Sequence, residues 1–223
     1  MTRLIEKGGQ DLEHRDNSGR TPLSIAARSG NEEVVQILLE QGAKVDSLDN
    51  GGCSPFAYTI QVGYLSTAKC LLDAGADINQ ADKRGRTPLI WATQYNATDG
   101  VTVLLEAKGL DIDKRDKTGR SAISYASERS IPDNLELLLK EGGNPDEPDC
   151  LGRTPLSYAA ANTRCPKAVN LLLKKGAVAS RKDLAGRTPL SYAEEAGSKK
   201  AISLLSNEGS PSQLRKFASQ HLW

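Results

Sequence analysis

The side chains able to do chemistry are few and poorly placed for it. Adjacent carboxylates occur at Glu32-Glu33 and Glu194-Glu195. Neighbouring helical residues point about 100° apart, so neither pair can share a substrate as an acid–base couple, and both read as solvated faces. His14 and His221 are the only histidines, and neither has a nucleophile held beside it. The four cysteines, Cys53, Cys70, Cys150 and Cys165, contain no C-x-x-C pair, so a zinc set does not assemble. The glycines match neither a Walker loop nor a dinucleotide-binding fingerprint. The residue types therefore predict no enzyme, no metal and no cofactor.

Binding is the remaining class, and composition narrows it. The 223 residues carry a formal net charge of +1, which argues against a general nucleic-acid or membrane binder. The charge is polarised, however. Residues 1–112 hold 11 Lys and Arg against 15 Asp and Glu, a net of −4, and residues 113–223 hold 18 against 13, a net of +5. No apolar run approaches the roughly 20 residues that span a bilayer, and no signal-peptide core is visible. The expectation is a reduced, intracellular, cytoplasmic protein.

The elements that would position a binding surface come from a repeat. GRTPLSYA occurs at Gly152–Ala159 and again at Gly186–Ala193, with echoes at Gly19–Ala26 and Gly85–Ala92. Asp stands three residues before each such element, at Asp16, Asp49, Asp82, Asp116, Asp149 and Asp183, in steps of 33, 33, 34, 33 and 34. Thr188-Pro189 illustrates the local logic. Thr is an N-cap, and Pro fills the first helical position, where its missing N–H costs nothing. Small residues such as Ala159-Ala160 let first helices approach closely. Runs such as Val34–Leu39 supply the apolar face of a second helix. Gly42, Gly75, Gly109, Gly142, Gly176 and Gly209 stand where a left-handed residue would end that helix. Helices of about ten residues do not persist alone, so each unit must stack on the next.

This unit, D-x-x-G-R-T-P-L-S-Y-A-A followed by a Leu-Leu run and Gly, resembles the ankyrin repeat. Six consecutive repeats follow a partial N-terminal one. The resemblance implies an all-α solenoid of paired antiparallel helices with β-hairpin fingers. The domain spans 1–209, with a partial repeat at 1–15 and repeats starting at 16, 49, 82, 116, 149 and 183. The segment 210–223, opening on Ser210-Pro211-Ser212-Gln213, is expected to be a C-terminal capping helix over repeat six. The family's His after T-P-L is replaced here by Ser24, Ala57, Ile90, Ser124, Ser157 and Ser191, so its imidazole hydrogen bond is missing. Repeat three has an extra residue around Ala107–Leu110, and repeat five gains one in Asn162–Pro166. The start in mid-repeat suggests a piece of a longer array.

Family resemblance places partners on the fingers and the concave face of the first helices. Counting each Asp as position one, these surfaces are positions 2, 3, 5, 13 and 14. They give Lys83, Arg84, Arg86, Gln94 and Tyr95 in repeat three, Lys117, Thr118, Arg120, Glu128 and Arg129 in repeat four, and Cys150, Leu151, Arg153, Ala161 and Asn162 in repeat five. Asp82–Arg86 and Asp113–Arg120 each net +2, whereas Asp46–Cys53 and Asp146–Arg153 each net −2. The cationic fingers of repeats three and four suit an acidic protein surface, with Tyr95 as an aromatic anchor. The recurring Arg at position five reads as scaffolding that packs along or pairs with a neighbouring finger. Ile25, Tyr58, Trp91, Tyr125, Tyr158 and Tyr192 form a column at position ten that reads as packing between repeats. The expected function is a non-catalytic protein–protein interaction module: a scaffold, an adaptor or the sensor part of a larger protein. Two alternatives remain open. One is a nucleic-acid-binding module using the basic C-terminal half and the aromatic column. The other is an architectural repeat that self-assembles, as an oligomer through the open N-terminal repeat face.

Overall fold

The structure is a computed structural model that describes residues 11–129, 131–164 and 166–207. The expected capping segment 210–223, the C-terminal Gly209 and most of the partial first repeat lie outside the described residues. Two compact units are present, Met1–Lys117 and Thr118–Trp223, and the fold is an all-α repeat fold of the solenoid class.

Every element in the first unit is one half of a helix pair. These are α1 (Pro22–Arg28) with α2 (Glu32–Glu40), α3 (Pro55–Val62) with α4 (Leu65–Asp73), and α5 (Pro88–Gln94) with α6 (Thr98–Glu106). The second unit repeats the scheme with α7 (Ala122–Arg129) and α8 (Pro132–Lys140), α9 (Pro155–Ala161) and α10 (Pro166–Lys174), and α11 (Pro189–Glu195) and α12 (Lys199–Asn207). Within each unit, first helices pack on first helices and second on second. Thus α3 lies between α1 and α5, and α9 between α7 and α11.

Capping explains where the first helices start. The amide of Ser24 donates to Thr21 Oγ1, that of Ile90 to Thr87 Oγ1, and that of Ser157 to Thr154 Oγ1, each at 3.3 Å. The Ser that replaces the expected His has a use of its own. Its hydroxyl lies 3.2–3.4 Å from the capping hydroxyl in the pairs Thr21–Ser24, Ser121–Ser124, Thr154–Ser157 and Thr188–Ser191. At α11 the Ser191 hydroxyl also accepts from the Thr188 amide, closing a capping box.

The cores are mainly aliphatic. Leu23, Phe56, Ile60, Leu71, Leu89 and Leu104 are fully buried in the first unit, as are Ile123, Leu135, Leu138, Leu156 and Leu172 in the second. The two extra residues are absorbed where helices end. Ala107, at the close of α6, is extended at ψ 143°, where Gln41 stays near ψ 0°. Asn162, closing α9, is extended at ψ 110°.

Fingers are tight turns, and no strand is present among the described residues. In repeat three the Asp82 amide donates to Arg86 O at 3.0 Å and the Gly85 amide to Asp82 O at 2.8 Å. Successive fingers are joined by one backbone bond each. Lys83 N–H donates to Gly51 O and Lys117 N–H to Arg84 O in the first unit. In the second, Cys150 N–H donates to Thr118 O and Leu184 N–H to Leu151 O. Approach is close enough to require glycine at Gly119, which has φ +81°; a Cβ there would lie 2.6 Å from the Cys150 amide nitrogen.

Candidate protein-binding surface

Each finger is held at its root by one aspartate. Asp149 Oδ1 accepts the amides of Leu151 and Arg153 at 2.8 and 2.9 Å, and Oδ2 accepts from Arg153 Nε at 2.8 Å and from the Tyr158 hydroxyl at 2.6 Å. The same arrangement recurs at Asp183, with Arg187 and Tyr192. In repeat two Cys53 stands in place of the position-five Arg; Tyr58 donates to Asp49, and the Arg28 guanidinium lies 5.9 Å from the Tyr58 ring centroid. In repeat three, Trp91 replaces Tyr, so Asp82 Oδ2 takes the Arg86 guanidinium, at 2.8 Å, without a phenol, while Oδ1 accepts the amides of Arg84 and Arg86. The buried Trp91 Nε1 has no partner among the described residues.

Arg20, Arg86, Arg153 and Arg187 therefore pair with the aspartate of their own finger rather than with that of a neighbouring one. The last three also stack on the aromatic column. Arg86 lies 3.7 Å from the centroid of Trp91, Arg153 4.9 Å from that of Tyr158, and Arg187 4.5 Å from that of Tyr192. Arg120 reaches across one repeat, 3.9 Å from Tyr125 and 4.3 Å from Tyr158. Each such contact stabilises by about 0.5–2 kcal/mol. The column is thus an Arg–aromatic ladder as well as helix packing.

These bonds set the local titration. Tyr192 donates to Asp183 and holds its carboxyl down at about 2, with help from the amides of Arg187 and Ala185. Burial would raise Asp149, but the bonds from Tyr158 and Arg153 outweigh it and the carboxyl is lowered. Burial first, then the bond to the aspartate, pushes the Tyr192 phenol up to about 12, and Tyr58 and Tyr158 move the same way.

The expected binding residues distribute as follows. Lys83 and Arg84 are exposed at the tip of the third finger, and their side chains make no ion pair among the described residues. Arg86 Nη1 reaches Gln94 Oε1 at 3.5 Å, and Tyr95, 55% exposed, stacks on Trp91 at 5.4 Å between centroids. Arg86, Gln94 and Tyr95 therefore form one cluster in the first unit. Lys117 is exposed at the fourth fingertip, and Arg129 is exposed at the end of α7. Arg120 Nη2 donates to Glu128 Oε2 at 2.7 Å. Asn162 Nδ2 donates to the Glu128 carbonyl at 2.6 Å, and its Oδ1 accepts the Arg164 amide at 2.9 Å. Glu128, Arg153 and Asn162 meet in the second unit at an open cleft of about 430 Å³, which Tyr158, Arg164 and Tyr192 also line.

Sequence reasoning did not assign Arg164, Tyr158 and Tyr192 to this cleft. The spacing of nine between Asp and Tyr, at 49/58, 149/158 and 183/192, was the available signal for the tyrosines. Among the described residues no group of three or more His, Cys, Asp or Glu could hold a metal ion, and no helix is long and apolar enough to cross a membrane.

Comparison with known proteins agrees with this architecture. A family model described as "Ankyrin repeats (3 copies)" matches residues 1–82, 46–116, 107–183 and 123–216. The chain belongs to the ankyrin repeat family. Similar solved ankyrin structures include the ankyrin repeat domain of Bcl-3, described as a unique member of the IkappaB protein family. It is 30% identical over 92% of this chain and 90% of that one, with a TM-score of 0.81. EF0377, an ankyrin repeat protein, is 29% identical over 82% of this chain and 96% of its own, at a TM-score of 0.76. An ankyrin repeat domain (ABAYE2397) from Acinetobacter baumannii AYE is 27% identical over 84% and 97%, at 0.77. No curated protein matches the chain. Ankyrin repeat domains are generally protein-interaction modules, and this one shares their fold.

Proposed function

We propose that this ankyrin repeat chain is a non-catalytic module, working inside the cell, that binds a protein partner through its fingertips and the face of its first helices. One observation carries the reading. The recurring Asp, Arg and aromatic residues are engaged within the fold, whereas positions two and three of every finger are exposed and differ. They are Asn17-Ser18, Asn50-Gly51, Lys83-Arg84, Lys117-Thr118, Cys150-Leu151 and Leu184-Ala185. A surface whose frame repeats and whose tips vary can encode a partner without disturbing the stack. Because the frame is preformed, little ordering entropy opposes binding.

Within this reading, Lys83, Arg84 and Lys117 offer cations to an acidic surface, and Tyr95 on Trp91 supplies an aromatic anchor. Arg86 and Gln94 complete the contact set of the first unit, and Arg120, Glu128, Arg129, Arg153 and Asn162 form that of the second. Base stacking on the aromatic column is disfavoured, since Arg86, Arg120, Arg153 and Arg187 already lie over its rings. Affinity capture from the source cell tests the proposal. The triple reversal Lys83→Glu, Arg84→Glu and Lys117→Glu should abolish capture of the main protein partner while leaving the thermal midpoint nearly unchanged. Undiminished capture by that variant would remove these fingers from the interface.

A further inference from the structure

Two adjacent fingertips of the second unit differ in chemistry from the others. The fifth ends in Cys150-Leu151 and the sixth in Leu184-Ala185, where the earlier tips are polar, cationic or glycine. Leu151 is 54% exposed and Leu184 79% exposed. The Leu184 amide donates to the Leu151 carbonyl at 2.9 Å, so the two leucines are neighbours. Burying one leucine side chain is worth about 1.5–3 kcal/mol, and here most of that gain is left unused by the fold.

Arg153, two residues beyond Leu151 in the chain, lines the cleft, although neither leucine does. The charges there do not cancel. Arg153 is tied to Asp149 at 2.7 Å and Glu128 to Arg120 at 2.7 Å. Arg164 lines the same cleft and is exposed, and its guanidinium makes no ion pair among the described residues. The surplus is one positive charge, and a planar guanidinium favours a carboxylate in bidentate geometry. Beside the sixth fingertip, Lys182 is exposed and also makes no ion pair among the described residues.

We propose that Leu151, Leu184 and Arg164 form a docking site for a protein segment that carries an aliphatic side chain close to an aspartate or glutamate. The aliphatic group covers the leucine tips, and the carboxylate enters the cleft at Arg164. This rests on the protein-binding reading but names a different site from Lys83-Arg84 and a different partner chemistry, one that is apolar and acidic together. The chain's own segment 208–223 holds Arg215 and Lys216 against Glu208, a net of +1, the wrong sign for this cleft.

The probe is a display library of short random peptides selected on the intact chain. Enriched peptides are then titrated by fluorescence anisotropy against Leu151→Ser/Leu184→Ser, Arg164→Glu and Lys83→Glu/Arg84→Glu variants. All the substituted side chains are exposed, and unchanged melting curves confirm that the variants fold. Enriched peptides should pair Leu, Ile or Val with Asp or Glu. Their affinity should fall about tenfold or more in each of the first two variants and hold in the third. Peptides that lack an acid, or that keep their affinity in the first two variants, overturn the site. Peptides lost only in the Lys83→Glu/Arg84→Glu variant overturn it while leaving the protein-binding reading intact, and no enrichment at all counts against both. Sedimentation showing a dimer that Leu184→Ser dissolves would assign the tips to a second copy of the chain, and so overturn the proposal.

Discussion

Tyr158 and Asp149 meet at the root of the fifth finger, the phenol donating to Oδ2 at 2.6 Å although nine residues separate them. A hydrogen bond to a charged acceptor is worth about 1.5–3 kcal/mol, so Tyr158→Phe should lose stability of that order. Tyr58→Phe should lose at least as much. Among the described residues Asp49 accepts hydrogen bonds from the amides of Gly51 and Cys53 besides its phenol, and none from a guanidinium, whereas Asp149 keeps Arg153. Urea titration checks both, as a lower midpoint at unchanged slope. A larger loss in Tyr158→Phe than in Tyr58→Phe would contradict this account of the finger root.

The same bonds shape the response to pH. Asp183 is held at about 2 by Tyr192, and Asp149 is lowered by its partners against the effect of burial, while an unfolded aspartate titrates near 3.9. Between those values the unfolded chain binds more protons, so stability is whole above about pH 4–5 and drains as pH falls toward 2. At the alkaline end, burial pushes Tyr192 up to about 12. An unfolded tyrosine ionises near 10, so stability is lost as pH climbs from about 10 upward. Burial also raises the Cys53 thiol to about 11, so thermal midpoints should be level from about pH 5 to 8 and fall on both sides. Tyr192→Phe should make both slopes shallower, because it removes the titrating phenol and the main support of Asp183. An acid limb identical to wild type would refute the Tyr192–Asp183 linkage.

Buried polarity offers the opposite kind of change. Asn134 in α8 is wholly buried, and neither its amide nitrogen nor its oxygen has a partner among the described residues. An unsatisfied buried polar group costs about 1–3 kcal/mol. Alanine occupies the matching place in the next two repeats, at Ala168 and Ala201, both fully buried. Asn134→Ala should raise stability by about 1–2 kcal/mol, visible as a higher midpoint in calorimetry. A lower one would show that the amide is satisfied after all.

Helix starts were legible in the letters because capping is local. A Thr or Ser before Pro needs nothing but its own next three residues to define the turn. The roots of the fingers were half legible. Asp and Tyr recur nine residues apart, yet their bond exists only once the finger folds back over the first helix, which periodicity does not describe. The cleft at Asn162–Arg164 was least legible, since it lies where the repeat gains a residue and the pattern stops guiding the eye. Leu184 illustrates another limit: its place as position two of the sixth finger was legible, but that an aliphatic side chain there stands 79% exposed was not.

From the second finger onward the fingers are joined by backbone amide and carbonyl, as in Lys83 to Gly51 and Leu184 to Leu151; between the first two the Asn50 side chain adds a bond to the Asn17 carbonyl. A backbone bond is blind to side chains. A pair of tip residues could therefore be transplanted from one repeat to another, Lys83-Arg84 into the sixth finger or Leu184-Ala185 into the third, without altering what joins the fingers. The molecule is in this sense a reading frame with removable letters, in which new recognition could arise by recombination between repeats instead of by refolding.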